Sequence, residues 1–388
     1  MKKVLYFYIS FLIFIFGCES SKKVVELKKY YNYKYDTIVR VFEGDYEKGY
    51  RDGMDLIIND DIVYETYNYC RNDELKILDH SNQKSYSFPF YNPNCKVIYN
   101  SIKKESNDLY LVSTDNKISV YCEGKNKSEI VFDLMNLEQF HKSGMTVEWK
   151  KSGSNQYVNV PNDILYFRVN QNYNDKKGKY SKMDANFPAF AKYNLKTNDL
   201  QFFGKLPYFE VYQQYGFLSY YFDLFKGDTI ITCSSIEGSI EIINTISGQI
   251  TKKFAKSSFD TKPIQKIKYP KDKRDINNLK MNHFLVSPHY EPLFFNPYTN
   301  LYYRIFHPRM NELNDEGLMN TNQDKICVLM VFNNNLEIID EEILPIKGNL
   351  ILNLYPSHDG IEIYLPEISQ KNSKKAELKF LKIRHLKK

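Results

Sequence analysis

Apolar and polar residues follow a repeated two-part pattern along the chain. A turn containing Asn, Asp or Gly precedes a short apolar run, and a second run follows and ends in another polar turn. The first pair comprises residues 60–64 (DDIVY) and 75–79 (LKILD). The further pairs are 107–111 with 118–121, 162–166 with 190–195, 227–231 with 240–244, 299–303 with 328–333, and 359–364 with 378–383. Runs bounded by turn residues in this way are typical of β-hairpins.

Six such units predict an all-β protein built as a six-bladed β-propeller. A hairpin cannot bury its faces alone, so units of about 40–60 residues must stack on their neighbours. Stacking in a ring leaves only short, protected strand edges. The strand at 37–42 has no hairpin of its own, and we expect it to complete the last blade and close the ring. Two β-sandwich domains are the alternative, since their strands also recur at short intervals.

Composition agrees with a β-rich fold. The chain holds 33 tyrosines and 26 phenylalanines but only five alanines. Aromatic residues favour strands, whereas alanine is the strongest helix former. The stretch 262–280, dense in Lys, Asp and Asn, is interpreted as a loop between blades.

The N-terminus has the features of a secretory signal. Lys2 and Lys3 precede an apolar stretch of about 13 residues, which is too short to span a membrane. Gly17 and Cys18 follow, and the segment IFGC resembles the lipobox of bacterial lipoproteins. We therefore expect a signal peptide at 1–17, acylation of Cys18, a tether at 18–33 and the propeller at 34–388. An ordinary signal peptide or an N-terminal anchor helix, with a coincidental cysteine, is the alternative.

Charge and cysteine content narrow the classes of partner. Cleavage after Gly17 removes two lysines and lowers the net charge from +6 to +4, which is too mild to indicate nucleic acid. The remaining cysteines are Cys70, Cys95, Cys122, Cys233 and Cys327, and their spacing matches no metal motif. Their number is odd, so at least one is unpaired; a Cys70–Cys95 disulfide is the first one to consider.

The residues with the richest chemistry lie between His283 and His307. His283, His289 and His307 are close in sequence, with Glu291 among them, but their spacing fits no known metal-ligand pattern, which favours packing or surface roles. Arg304 either pairs within the sheet, which we favour, or recognises a carboxylate, phosphate or sugar acid. If a small-ligand site exists, we expect it near the blade that contains Tyr302. Its candidate ligand-binding residues are His289, Glu291, Tyr303 and Arg304.

The lipobox, the six degenerate repeats and the phrase FFNPYTNLYYRIFHP (residues 294–308) together resemble Bacteroidetes lipoproteins of unknown function with six-bladed, TolB-like propellers. In this phrase the matching residues are Asn296, Pro297, Tyr302, Tyr303 and Arg304. The resemblance implies a fold and an envelope location, but no catalytic residue, metal or cofactor.

These features together predict a lipid-anchored cell-envelope protein. The sequence contains no G-x-S-x-G, H-E-x-x-H, P-loop or dinucleotide motif. We therefore expect a non-enzymatic binding or scaffold module for a protein, peptide or glycan. A propeller hydrolase or lyase with its site in the central funnel is the alternative.

Overall fold

The computed structural model describes only part of the chain, and for several strands it describes the backbone alone. The described residues are 31–43, 54–59, 62–69, 74–79, 84–89, 97–103, 108–113, 117–121, 129–133, 145–147, 156–159, 164–171, 188–194, 196–204, 221–267, 276–348, 354–365, 370–371 and 375–387.

Within these residues the chain forms six antiparallel sheets of four or five strands, named here sheets 1 to 6 in chain order. Sheet 1 contains β2 (Met54–Asn59), β3 (Ile62–Tyr69), β4 (Glu74–Asp79) and β5 (Lys84–Pro89). Sheet 2 contains β6 (Val97–Lys103), β7 (Asp108–Ser113), β8 (Lys117–Tyr121) and β9 (Glu129–Asp133). Sheet 3 contains β10 (Met145–Val147), β11 (Gln156–Asn159), β12 (Ile164–Gln171), β13 (Phe190–Asn194) and β14 (Leu200–Phe203).

The remaining sheets follow the same plan. Sheet 4 contains β15 (Tyr221–Lys226), β16 (Thr229–Ser234), β17 (Ser239–Asn244) and β18 (Ile250–Phe254). Sheet 5 contains β19 (His289–Tyr290), β20 (Phe294–Asn296), β21 (Leu301–His307), β22 (Ile326–Phe332) and β23 (Ile338–Lys347). Sheet 6 contains β24 (Leu354–Ser357), β25 (Gly360–Tyr364), β26 (Gln370–Lys371), β27 (Lys375–Lys387) and the N-terminal β1 (Tyr31–Glu43).

The predicted strand pairs are confirmed, because each one is a hydrogen-bonded pair inside one sheet. They are β3 with β4, β7 with β8, β12 with β13, β16 with β17, β21 with β22, and β25 with β27. The expectation that the strand at 37–42 joins the last sheet is confirmed as well. β1 runs antiparallel to β27, with Ile38 opposite Phe380.

Among sheets 3 to 6, whose side chains are described, the core lies between successive sheets, and sheet 5 shows why its strands are buried on both faces. Along β21, Tyr302 and Phe306 pack with Ile231 and Ile240 of sheet 4. The alternate residues Tyr303 and Ile305 pack instead with Ile361 and Ile383 of sheet 6. Successive side chains of a strand point to opposite faces, so a strand covered on both sides is a continuous buried run.

An asparagine turn links sheets 5 and 6. Asn296 is fully buried, and its side-chain amide donates hydrogen bonds to the carbonyls of Ser357 and Gly360, at 2.9 and 2.5 Å. Its side-chain oxygen accepts a hydrogen bond from the Tyr298 amide. The Asn-Pro turn therefore connects the two sheets through buried hydrogen bonds.

One helix lies outside the repeating plan. Helix α1 (Ile276–Val286) precedes sheet 5, and it begins within the stretch 262–280 that the sequence indicates as a loop. Residues 268–275 lie outside the described residues. The carbonyl of His283, in the last turn of α1, accepts a hydrogen bond from the Ser287 amide. This turn directs the chain into β19.

Candidate functional site

Strand pairing brings His289 and His307 together. β19 and β21 are antiparallel, and His289 is directly opposite His307 in the register. Directly opposed residues of an antiparallel pair lie on the same face, with Cβ atoms about 5 Å apart. The two imidazole rings accordingly lie 4.7 Å apart, centroid to centroid.

Glu291 follows β19 and completes a three-residue cluster with the two histidines. Its Oε1 lies 3.7 Å from His289 Nε2 and 3.4 Å from His307 Nε2. The His289 and His307 side chains are 3% and 0% exposed, and the Glu291 side chain is 12% exposed. One potential ligand atom from each residue lies within 4.8 Å of the others. The linear spacing did not indicate this convergence, because it arises from a cross-strand pair.

Backbone carbonyls orient both imidazoles. His307 Nδ1 lies 3.1 Å from the Ile326 carbonyl, so the neutral ring carries its proton on Nδ1 and presents the Nε2 lone pair toward Glu291. His307 Nε2 is buried and has no hydrogen-bond partner. His289 Nδ1 lies 3.1 Å from the Ser287 carbonyl and 3.1 Å from Lys325 Nζ.

Lys325 borders the cluster as a buried amine. Its Nζ donates a hydrogen bond to the Phe284 carbonyl at 2.7 Å and lies over the Phe284 ring. Burial lowers the pKa of Lys325 to about 7, although the nearby Glu291 carboxylate acts in the opposite direction. Burial also raises the pKa of the neighbouring Cys327 thiol to about 12, so this thiol is protonated at neutral pH.

Arg304 is held inside the fold by backbone groups. Its Nε donates to the Glu291 carbonyl and one terminal nitrogen donates to the Ser234 carbonyl of sheet 4, both at 2.7 Å. The guanidinium stacks over the Tyr290 ring at 4.7 Å, and the side chain is fully buried. Of the two roles considered for Arg304, these contacts correspond to pairing within the fold.

Tyr303 is separated from the other candidate residues. It shares a face of β21 with His307, but four residues of a strand span about 13 Å. Its hydroxyl lies near Thr299 Oγ1 and His385 Nδ1, at 3.1 and 3.4 Å, and it packs in the core beside sheet 6. The structure therefore brings together His289, Glu291 and the backbone-bound Arg304, but not Tyr303.

A cleft of about 340 Å³ lies beside the cluster, along helix α1. Its apolar lining comes from Ile267, Leu279, Val286 and Pro288, and its polar lining from Gln265, Lys266, Asn282, His283, Ser287, Arg309 and Glu312. Ser287 contacts both sites, because its carbonyl lies 3.1 Å from His289 Nδ1 and the residue also lines the cleft. Within the cleft, Ser287 Oγ lies 3.3 Å from His283 Nε2.

Sequence reasoning missed Lys325 and the cleft residues. A lysine just before an apolar strand is ordinarily a solvated flank, so its sequence gives no sign that Lys325 is only 1% exposed. The cleft depends on how helix α1 packs, and the chain between 262 and 280 has no apolar period that predicts a helix.

Several expectations lie outside the described residues. They include the signal peptide, the lipidated Cys18, the tether and the Cys70–Cys95 disulfide. Cys233 and Cys327, which are described, are buried cysteines outside any disulfide. In the part of the chain that the structure describes, no helix has the length and apolar character needed to cross a membrane.

Comparison with solved structures matches this chain to proteins from Bacteroides. A DUF4221 family member from Bacteroides vulgatus is 15% identical, with a TM-score of 0.56 over 92% of this chain and 100% of that chain. A protein of unknown function from Bacteroides thetaiotaomicron is 10% identical, with a TM-score of 0.44 over 91% of this chain and 77% of that chain. A Bacteroides fragilis protein described as exported is 10% identical, with a TM-score of 0.45 over 90% and 95% of the two chains.

The sequence comparisons agree with the first of these structures. No curated protein matches the chain. The model of a family described as a domain of unknown function (DUF4221) matches residues 58–343, which is most of the chain. The expected relationship to a family of unknown function with Bacteroides members is thus confirmed. This chain belongs to the DUF4221 family.

Proposed function

We propose that this protein is a lipid-anchored, six-bladed β-propeller of the cell envelope that binds a carboxylate-bearing glycan or peptide without transforming it. The signal-like N-terminus ending at Cys18 supports the envelope location. An acylated cysteine would hold the protein at a membrane surface, because several acyl chains anchor far more firmly than one.

Contacts between sheets support closure into a propeller. Edge strands of neighbouring sheets contact one another, as β2 does with β6, β6 with β11, and β20 with β24. This is the arrangement expected of innermost strands around a central axis. β1, in sheet 6, also contacts β5, in sheet 1, so the last sheet meets the first.

The cleft beside α1 is the observation that carries the binding role. Its lining combines four apolar residues with the cations Lys266 and Arg309 and the amides of Gln265 and Asn282. Binding sites are typically concave and largely apolar, with a few polar groups that orient the ligand. Arginine is well suited to a carboxylate, because its planar fork donates two parallel hydrogen bonds. Glu312 is the acidic residue of the lining and would repel the carboxylate of a ligand. We therefore expect that carboxylate to lie beside Arg309.

Two titrations of the full-length protein in detergent test this role. One uses oligogalacturonate, and the other uses an uncharged galacto-oligosaccharide of equal length. We expect the acidic probe to bind more tightly, and Arg309→Gln to weaken it by about tenfold, since a charged hydrogen bond contributes about 1.5 kcal/mol or more. Lys347→Gln, an exposed charge of sheet 5 outside the cleft, is the matched control. Equal binding of both probes, or no effect of Arg309→Gln, would contradict the proposal.

The Ser287–His283 contact favours hydrolysis as a second candidate. An imidazole close to a hydroxyl is the first element of nucleophilic catalysis. Burial, together with the adjacent Arg309, lowers the pKa of His283 and keeps its ring neutral, as a general base requires. In the described part of the chain no carboxylate pairs with the His283 ring, so the third member of a triad is not among these residues. We therefore rank hydrolysis below binding.

A serine-reactive fluorophosphonate probe separates the two functions. Labelling that disappears in Ser287→Ala and His283→Gln, with the fold retained by circular dichroism, would establish the hydrolase. Absence of labelling in the wild-type protein supports binding without turnover.

A further inference from the structure

The His289, Glu291 and His307 cluster has the dimensions of a metal site. Zinc ligands lie about 2.0–2.1 Å from the ion, so neighbouring corners of a tetrahedron around it are about 3.3 Å apart. The distances from Glu291 Oε1 to His307 Nε2 and His289 Nε2 are 3.4 and 3.7 Å. For one ion to bind all three residues, this second distance must contract, and the ligand nitrogens of the two histidines, which lie within 4.8 Å of each other, must approach as well.

The environment of the buried His307 Nε2 favours a positive charge between this nitrogen and Glu291. Because Nδ1–H donates to the Ile326 carbonyl, Nε2 is an acceptor, and it faces the carboxylate of Glu291, which is an acceptor as well. His307 is fully buried and its Nε2 has no hydrogen-bond partner. Two acceptors that face each other in the interior are unfavourable unless a positive charge lies between them.

The surroundings of both histidines match those of metal ligands. A ligating histidine commonly donates its second ring N–H to a backbone carbonyl, which fixes the tautomer. Here the Ile326 carbonyl accepts from His307, and the Ser287 carbonyl is placed to accept from His289. Lys325 Nζ also lies 3.1 Å from His289 Nδ1, so ligation by His289 Nε2 requires the amine to direct its N–H groups to the Phe284 and Ser287 carbonyls instead of to this nitrogen.

We propose that His289 Nε2, His307 Nε2 and Glu291 Oε1 bind one divalent first-row transition ion, with zinc as the best match. Imidazole nitrogen combined with one carboxylate suits zinc and its neighbours more than calcium or magnesium. Three protein ligands leave a fourth position for water, and the partly exposed Glu291 side chain marks the side from which water enters. The ion would cross-link β19 to β21 beside the cleft.

Two cations set an upper limit on the affinity. Lys325 Nζ lies 3.1 Å from His289 Nδ1, and the Arg304 guanidinium is hydrogen-bonded to the Glu291 backbone. Positive charge near the ligands opposes a dication. We therefore expect binding in the micromolar range, weaker than in a structural zinc site, and the titration has to extend to about 100 μM free zinc.

The experiment measures metal directly. Full-length protein in detergent is stripped with a chelator, dialysed, and titrated with ZnCl2 by isothermal calorimetry. Bound zinc is then counted by elemental analysis, and Co2+ is added in parallel to follow its visible d–d absorption. We expect one equivalent of zinc, a thermal midpoint that rises with zinc concentration, and a cobalt spectrum typical of low coordination number.

Variants assign the ligands. Glu291→Gln nearly preserves shape while removing the anionic ligand, and His307→Gln removes the buried nitrogen. Each should lower the affinity for zinc at least tenfold and abolish the rise in thermal midpoint. His358→Gln, an exposed histidine that stacks on Tyr298, is the matched control and should bind zinc as the wild type does.

A different result would show that a proton, and not a metal ion, lies between His307 Nε2 and Glu291 Oε1. If the folded wild-type protein takes up no stoichiometric zinc or cobalt, the metal site is refuted. A proton shared between His307 and Glu291 then explains their close contact. Uptake that persists unchanged in Glu291→Gln, with the fold intact, would also refute it. Since Glu291→Gln lies away from the α1 cleft, loss of zinc is distinguishable from loss of the proposed carboxylate binding.

Discussion

Tyr33 and His385 are direct partners across the antiparallel pair of β1 and β27, and their rings meet edge to face with centroids 5.4 Å apart. Tyr31 and Tyr303 also contact the imidazole, at 4.8 and 5.3 Å. Aromatic contacts of this kind contribute about 0.5–1.5 kcal/mol each beyond the area they bury. The contact between the N-terminal strand and the C-terminal strand thus includes a titratable group in an aromatic environment.

Stability should fall in mild acid because of His385. Burial lowers the pKa of His385 to about 4, from 6.5, despite the nearby carboxylates of Asp340 and Asp359. Between pH 6.5 and 4 the unfolded chain binds a proton at this position that the folded protein does not bind. The free energy of unfolding therefore decreases as pH falls through this window, by at most about 3 kcal/mol.

Urea unfolding at pH 7 and pH 5 measures this effect. We expect a loss of about 2 kcal/mol in the wild type, and a clearly smaller loss in His385→Phe, which keeps the aromatic packing. An equal pH dependence in both proteins would show that His385 is not the responsible group.

Arg40 of β1 should stabilise sheet 6 through a largely buried ion pair with Glu362 of β25. Its guanidinium contacts the Glu362 carboxylate at 2.5 Å, and Glu362 is only 4% exposed. Removing one partner of such a pair leaves a buried charge poorly compensated, since Lys382 is 4.0 Å away. We expect Arg40→Met to cost about 3 kcal/mol in urea unfolding.

Lys34 on the same strand is the control for Arg40. Its contact with Asp36 is 3.9 Å long and the lysine is 55% exposed, so Lys34→Met should cost less than about 1 kcal/mol. Similar losses in both variants would contradict a special role of the Arg40–Glu362 pair.

Asn296 should be one of the most sensitive polar residues. Replacement by alanine leaves the Ser357 and Gly360 carbonyls without their buried donor, at a cost of about 2 kcal/mol or more. Asn244 forms a comparable turn, in which its side chain accepts from the Ile246 and Ser247 amides, but it is exposed. Asn244→Ala should lower the thermal midpoint less than Asn296→Ala, and the reverse order would be inconsistent with the link between sheets 5 and 6.

Gly238 should not tolerate a side chain. A Cβ atom at this position would lie 2.6 Å from the Ala255 carbonyl oxygen and 2.7 Å from Lys256 Cα. Both are backbone atoms, so the segment that follows β18 would have to move. We expect Gly238→Ala to cost about 2–3 kcal/mol in the free energy of unfolding.

Gly227 provides the comparison for Gly238. It has a positive φ of +56° but open space around the missing Cβ, so alanine there meets only the backbone preference, about 1 kcal/mol. Equal effects of the two substitutions on urea unfolding would show that the close approach at Gly238 relaxes.

Cys18→Ala should release the protein from membranes. The signal-like segment before Cys18 predicts acylation of its thiol and amine, and alanine has no thiol to modify. Fractionation of cells expressing each form, together with the mass of the N-terminal peptide, checks the prediction. Membrane retention of Cys18→Ala, or an unmodified Cys18 in the wild type, would contradict it.

The pattern of the sequence predicts the middle of each sheet and little beyond it. Buried central strands such as β16 and β21 are long apolar runs between turn residues, so they stand out. Edge strands such as β18, with exposed Thr251 and Lys252, have a polar composition close to that of loops. Helix α1 lacks a strong apolar face, so the sequence of 262–280 gives no indication that a helix begins there.

The candidate site was predicted in part because its residues are close in sequence. His289, Glu291 and Arg304 lie within 16 positions, and composition alone marks them. His307 belongs to the site because the two-residue strand β19 places His289 directly opposite it. Lys325 belongs to the site because it is buried just before β22. Neither register nor burial of a lysine has a signature in a single sequence.

The pairing of β1 with β27 has a consequence for the order of folding. The ribosome releases β1 before the other described strands and β27 after them, so β1 has no partner until synthesis of the sheets between them is complete. Contacts at such large sequence separation form slowly, because the chain entropy of closing the loop is lost before the contact stabilises anything. Sheets 1 to 5 can form one after another from local hairpins, whereas sheet 6 must wait. We therefore expect the final, slow step of maturation to be the docking of β1, and until then both of its edges are open to pairing with another chain.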